Sequence, residues 1–160
     1  MDEAIQKLDR TDIQILNELQ RDGRLSNLEL SKRVNLSPTP CLNRVRRLER
    51  DGYITGYGAF VDPVKLGASM LVFVEVTLER TSEGVFENFK EAVANTPEIQ
   101  ECHMLSGGFD YLIKARVKDM AAYRNFLGKS LISLPSVRAS HTYVVMEEVK
   151  CTTSIQINLP

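Results

Sequence analysis

The sequence predicts an α+β protein in two parts: a three-helix unit with a wing, then a sandwich of four strands and two helices. Three observations predict it. Residues 8–50 carry apolar side chains at helical spacing, punctuated by capping residues. From Met70 onward, runs with the period of a strand alternate with runs with the period of a helix. The positive charge is local: Lys32 to Arg50 holds six basic side chains against Glu49 alone, whereas 10 basic and 12 acidic side chains follow Gly58.

In chain order, Leu8-Asp9 with Ile13, Leu16 and Leu19 makes a first amphipathic helix that stops at Asp22-Gly23. Ser26 with Glu29 three residues on forms a capping box for a second helix carrying Leu28, Leu30 and Val34. Asn35-Leu36 turns tightly into a third. After Asp51-Gly52, the residues Tyr53, Ile54, Tyr57 and Phe60 suit a short strand or wing, and Asp62-Pro63 and Gly67 mark a connector. These signals divide the chain into residues 1–60, a linker at 61–68 and a second domain at 69–160. In that domain Met70–Glu79 reads as a strand, with Val72, Val74, Val76 and Leu78 on one face. A helix with Phe86, Phe89 and Val93 ends at Thr96-Pro97. Ile99–Leu105 and Phe109–Val117 are strands joined across Gly107-Gly108. Met120, Tyr123, Leu127 and Leu131 line a second helix that Pro135 ends. Val137–Met146 is the last long strand, with a short extra one at Thr152–Asn158. The order β-α-β-β-α-β is the ferredoxin-like pattern. Both helices then cover one face of the sheet, which leaves Leu71 and Phe73 on the other. Exposed apolar area costs ~25 cal/mol per Å², so a homodimer through this face is expected.

Composition excludes several classes. With 43% hydrophobic and 26% charged residues the chain is globular rather than disordered or fibrous. It has no apolar run near the roughly 20 residues of a membrane span, and MDEAIQKLDR lacks the apolar core of a signal peptide, so cytoplasmic residence is expected. Cys41, Cys102 and Cys151 form neither an even disulfide set nor a CxxC pair, and no metal site is expected. His103 and His141 stand in strands outside any Ser-His-Asp, HExxH or phosphate-loop pattern, so no catalytic residue and no enzyme is expected.

The helix SPTPCLNRVRRLER decides the character of the first part. Advancing ~100° per residue from Cys41, Cys41, Leu42, Val45 and Leu48 occupy one face, and Thr39, Asn43, Arg46, Arg47 and Arg50 the opposite one. Arginine can be bidentate to guanine and asparagine to adenine, and threonine can touch a phosphate or a thymine methyl. Ser37 is the expected N-cap, and Pro38 at the first helical position stiffens the start. Pro40 disfavours helical backbone at Thr39, a local tension. Preceded by a capped helix and a short turn and followed by a wing, this is a helix-turn-helix arrangement that fits double-stranded DNA. Arg47→Ala is expected to weaken binding and, if Arg47 contacts a phosphate, to lower the salt slope by ~0.9.

At the Gly107-Gly108 turn two readings stay open. Turn N–H groups can hold a carboxylate while Asp110 pairs an ammonium, as a free amino acid needs, or the turn is a hairpin whose aspartate bonds locally. An architectural DNA-binding protein that senses nothing shares every feature except this turn.

The run LDRTDIQILNELQRDGRLSNLELSKRVNLSPTPCLNRVRRLERDGYI, then a split βαβ domain with SGGFDY and the ending TYVVMEEVK, resembles the Lrp/AsnC family over nearly the whole chain. SPTPCLNRVRRLE is the specific part; GGFDY alone is weak. The resemblance implies a bacterial, nucleoid-associated transcription regulator. Its N-terminal winged helix-turn-helix binds DNA, and its C-terminal domain senses an amino acid such as leucine or methionine, without a cofactor. Dimers assembling further, to octamers, are implied too. Carried onto this chain, the recognition helix is Pro38–Asp51. The DNA set is Lys32, Arg33, Ser37, Pro38, Thr39, Asn43, Arg44, Arg46, Arg47 and Arg50. The effector set is Met104, Gly107, Gly108, Asp110 and Tyr111, with Ser140, Thr142 and Tyr143 of the final strand across an interface.

Overall fold

The computed structural model describes residues 8–79, 82–131 and 134–157. The chain divides into two compact units. One runs to Phe60 and is rejoined by the tail from Cys151; the other is Val61–Lys150.

The first unit holds α1 (Arg10–Arg21), α2 (Asn27–Arg33) and α3 (Pro38–Arg50). Local chemistry sets each boundary. Asp9 and Asp12 cap α1 reciprocally, and Ser26 and Glu29 do the same for α2, so two orphan N–H groups are satisfied at each start. The α2–α3 turn is a Schellman closure: Leu36 N–H donates to the Ser31 carbonyl at 2.8 Å and Asn35 N–H to that of Lys32. Asn35 takes the left-handed conformation, φ 54°, that the closure needs and asparagine tolerates. The three helices bury Ile15, Leu16, Leu30, Val34, Cys41 and Leu48 against one another.

Two expectations for this part of the chain change. The segment expected as a short strand or wing, Tyr53 to Phe60, makes no strand ladder among the described residues; Tyr53 and Ile54 donate their N–H groups to the Leu48 carbonyl and pack on the helical core. The segment Thr152–Ile157 is not a strand either, and Asn158 lies outside the described residues. The tail joins the helical unit, not the sheet. Gln20 of α1 takes the Ile155 N–H at 2.7 Å and donates to its carbonyl at 3.1 Å, while Ile157 packs on the helical core.

The second unit begins with a tight turn. Asp62 accepts the Val64 and Lys65 N–H groups, and Gly67 closes the turn at φ 72°. The elements β1 (Met70–Leu78), α4 (Glu83–Ala94), β2 (Ile99–Met104), β3 (Tyr111–Val117), α5 (Met120–Phe126) and β4 (Val137–Val144) follow. A π-helical turn, Leu127–Leu131, continues α5. The sheet is antiparallel, in the order β2-β3-β1-β4, the split βαβ arrangement expected. Val72, Val74 and Val76 of β1 and Ile113 and Ala115 of β3 are fully buried beneath Phe89 of α4 and Tyr123 and Phe126 of α5.

The other face is less apolar than expected. Leu71 is already 5% exposed, because the chain returns over that end of the sheet. Val145 donates to its carbonyl, and Glu148 holds Arg116 of the neighbouring strand at 2.9 Å. Further along the face, Glu101 pairs with Lys114 and Tyr143 donates to Glu75.

Candidate nucleic-acid interface and effector site

The start of α3 is where the two prolines act. Ser37 has the extended backbone of an N-cap, yet its side chain makes no capping hydrogen bond. An N-cap oxygen ordinarily takes the N–H of the second or third helical residue, and the third is Pro40, which has none. The helix is nonetheless regular from Pro38, with Cys41 N–H bonded to the Ser37 carbonyl. The expected tension at Thr39 is therefore absorbed within the first turn. Asn27 of α2 braces that turn by donating to the Pro38 carbonyl at 2.8 Å.

The faces of α3 separate as the helical arithmetic requires. Cys41 and Leu48 are buried, and Thr39, Asn43, Arg46 and Arg50 are exposed. Lys32 and Arg46 are exposed and have no ion-pair partner among the described residues; Arg50 bonds only its neighbour Asp51. The remaining arginines of the expected DNA set are engaged inside the unit. Arg33 pairs with Glu18 at 2.8 Å, and that guanidinium first, then Arg21, holds the Glu18 carboxyl below its ordinary range despite an opposing desolvation. Arg44 bonds both Asp9 and Asp12, the latter at 2.8 Å, and Arg47 bonds the other oxygen of Asp12.

Asp12 is the residue that sequence reading missed. It is 1% exposed, a carboxylate in the core of the helical unit. The signal was present: positions 12, 16 and 19 lie on one stripe of α1, so Asp12 occupies a core position where its charge calls for a cation beside the Asp9 N–H that it accepts. Breaking a buried ion pair costs about 3–5 kcal/mol, more than the ~1.5–3 kcal/mol of one charged hydrogen bond. Asp12 accordingly holds both guanidiniums within the helical unit.

In the second unit the β2–β3 ladder ends at Met104–Tyr111, and Leu105 N–H to the Asp110 carbonyl closes the turn at 2.9 Å. The strands thus stop short of the expected Leu105 and Phe109, and Ser106–Phe109 form the tip. Gly107 and Gly108 are exposed there, neither has positive φ, and a Cβ on either would meet nothing within 4 Å. Asp110 accepts the Leu78 N–H at 2.7 Å and donates its own N–H to Val76 at 3.0 Å, pinning the end of β1 to the turn. Register places Met104, Tyr111, Val76 and Ser140 in one row across all four strands. Met104 and Ser140 are exposed at its two ends. Tyr111 is core, its ring 4.5 Å from that of Phe89, and its buried hydroxyl has no hydrogen-bond partner among the described residues. Thr142 faces the helices and bonds the Tyr123 hydroxyl, while Tyr143 lies on the opposite face and is exposed.

Residues 8–55 match the winged helix-turn-helix DNA-binding family, and residues 71–155 match the Lrp/AsnC ligand binding domain. The chain belongs to the Lrp/AsnC family. This Lrp/AsnC regulator is 63% identical over 150 residues to the leucine-responsive regulatory proteins of Escherichia coli K12 and Klebsiella pneumoniae, covering 94% of the chain and 92% of each relative. Among solved structures it resembles a transcriptional regulator of Neisseria meningitidis in complex with L-Met, with TM-score 0.91 and 39% identity over 95% of this chain and 98% of that one. It also resembles an AsnC family transcriptional regulator of Agrobacterium tumefaciens, with TM-score 0.89 and 36% identity over 93% and 97% of the two chains. As a member of this family the protein is a DNA-binding transcription regulator with an amino-acid-binding domain, not an enzyme.

Proposed function

We propose that this regulator reads DNA through Ser37, Thr39, Asn43, Arg46 and Arg50 of the α3 face with Lys32 beside it, and that leucine or methionine, bound at the Gly107-Gly108 turn, controls its assembly. The glycines carry the effector part. Neither a left-handed backbone nor crowding among the described residues requires glycine at 107 or 108, and two bare glycines leave the turn's backbone open to close approach by a ligand. The exposed Met104 beside the turn offers an apolar surface to an aliphatic side chain, and the solved relative with L-Met supports the same ligand class.

Assembly as a homodimer, and beyond it an octamer, draws support from Phe73 and Leu112 on the sheet face that neither helix covers. Val64, Leu66, Met146 and Val149 of the same unit are large apolar side chains 67%, 68%, 101% and 87% exposed, an excess that an isolated copy does not need. Such a protein works in the cytoplasm, on the nucleoid.

Calorimetry with leucine, methionine and other amino acids, combined with light scattering, tests the effector reading. Heat together with a change in mass for leucine or methionine is expected. No heat for any amino acid, with DNA binding intact, leaves a purely architectural DNA-binding protein.

A further inference from the structure

We infer that Asp12 is a specificity-positioning residue of the DNA interface: its buried carboxylate withholds Arg47 from the phosphate backbone. The inference rests on α3 being the DNA-contacting helix. Its geometry is asymmetric. Arg44 is held twice, by Asp9 and by Asp12, whereas Asp12 is the one carboxylate that holds Arg47 among the described residues. Asp12 is 1% exposed, while the side chains of Arg44 and Arg47 are about a third exposed. The guanidiniums thus reach the surface of the unit but point back into it.

The arrangement has a consequence for readout. Phosphate contacts add affinity for every sequence, whereas base-edge contacts discriminate. An arginine on the rim of a recognition helix, left free, adds to the first kind. Bound to Asp12, Arg47 contributes nothing to the phosphate term, and the contacts left on the face are Thr39, Asn43, Arg46 and Arg50, which include the base-reading types. Asp12 also fixes α3 against α1 through both oxygens of its carboxylate, so the helix presents that face at one angle.

The test is the salt dependence of binding to a short mixed-sequence duplex, followed by fluorescence anisotropy, with folding checked by circular dichroism. In Asp12→Asn the oxygen that caps α1, which is also the one that meets Arg47, becomes a neutral amide oxygen, so Arg47 loses its charged partner and is free to turn to a phosphate, while Arg44 keeps Asp9. The slope of log affinity against log salt then steepens by ~0.9 for each protomer engaged. Arg47→Ala leaves the wild-type slope unchanged, and the double variant returns to it. A slope that Arg47→Ala makes shallower by ~0.9, or that Asp12→Asn does not steepen, overturns the inference. A merely structural role for Asp12 does not steepen a slope. Where Asp12→Asn does not fold, the Arg47→Ala slope decides alone in the same two directions. Arg46→Ala separates the underlying reading, because a slope it leaves unchanged removes α3 from the DNA face, whatever Arg47 does.

Discussion

Substitution of Asp110 separates a structural carboxylate from a ligand-binding one. Its Oδ2 accepts the Leu78 N–H at 2.7 Å in a part-buried setting, and a hydrogen bond to a charged group contributes about 1.5–3 kcal/mol. Asp110→Ala removes that acceptor and leaves the Leu78 N–H at the end of β1 unpaired, for a loss of about 2 kcal/mol. In a unit the size of Val61–Lys150 each 1 kcal/mol moves Tm by roughly 4–8 °C, so the alanine variant melts on the order of 8–16 °C lower. Asp110→Asn keeps an oxygen in the same place and exchanges a charged bond for a neutral one of ~1 kcal/mol, which predicts about half that drop. Scanning calorimetry of the three proteins at one pH measures the series. An alanine variant that melts with the wild type, or an asparagine variant as unstable as the alanine one, refutes the assignment of Asp110 to the strand end. Calorimetric titration with leucine or methionine on the asparagine variant then reports the ammonium: binding lost from a folded protein shows that the carboxylate also serves the ligand.

Lys114, then His103, hold the Glu101 carboxyl below its ordinary value of 4.5, against a smaller desolvation. A depressed carboxylate stabilises the fold above its unfolded value and loses that contribution as pH falls through the folded one. Tm should therefore fall as the pH drops below about 4.5, and Lys114→Met should flatten that part of the curve. Burial pushes the Cys102 thiol up from 9.0 to about 11, so it contributes stability below pH 9.0 that is lost as pH rises towards 11. At neutral pH a thiol reagent should label the exposed Cys151 well before Cys102 or the buried Cys41, which mass spectrometry of timed samples would show. Phe73→Lys places a charge on the sheet face that the helices leave open, and sedimentation should give a smaller particle than the wild type; an unchanged mass removes that face from the assembly.

Local chemistry made much of the fold legible. The caps at Asp9 and Ser26, the left-handed Asn35 and the valine alternation of β1 each declare themselves within a few residues, because the forces involved act over one turn or one pleat. The tail was illegible for the opposite reason. Thr152–Ile157 has strand-like composition, but its fate depends on Gln20, far off in sequence, and no local pattern encodes that pairing. The partners of the α3 arginines were illegible for a third reason. Helical arithmetic gives the direction of a Cα–Cβ bond and not where a long guanidinium ends, and Arg44 and Arg47 end on Asp12. At the Gly107-Gly108 turn the local bond that one of the two readings requires of Asp110 is present, and a Cβ on either glycine would meet nothing within 4 Å.

The return of Ile155 to Gln20 joins residues 135 apart in the chain, and this imposes an order on biosynthesis. The three helices leave the ribosome first and can associate at once, but the part of their unit that Gln20 and the helical core receive is translated only after the whole of Val61–Lys150. At roughly 5–20 residues per second the helical unit waits several seconds for its last piece, while the later unit already has all of its own residues. Trimming the end of the chain should accordingly weaken the first-made unit, and leave its later-made neighbour intact.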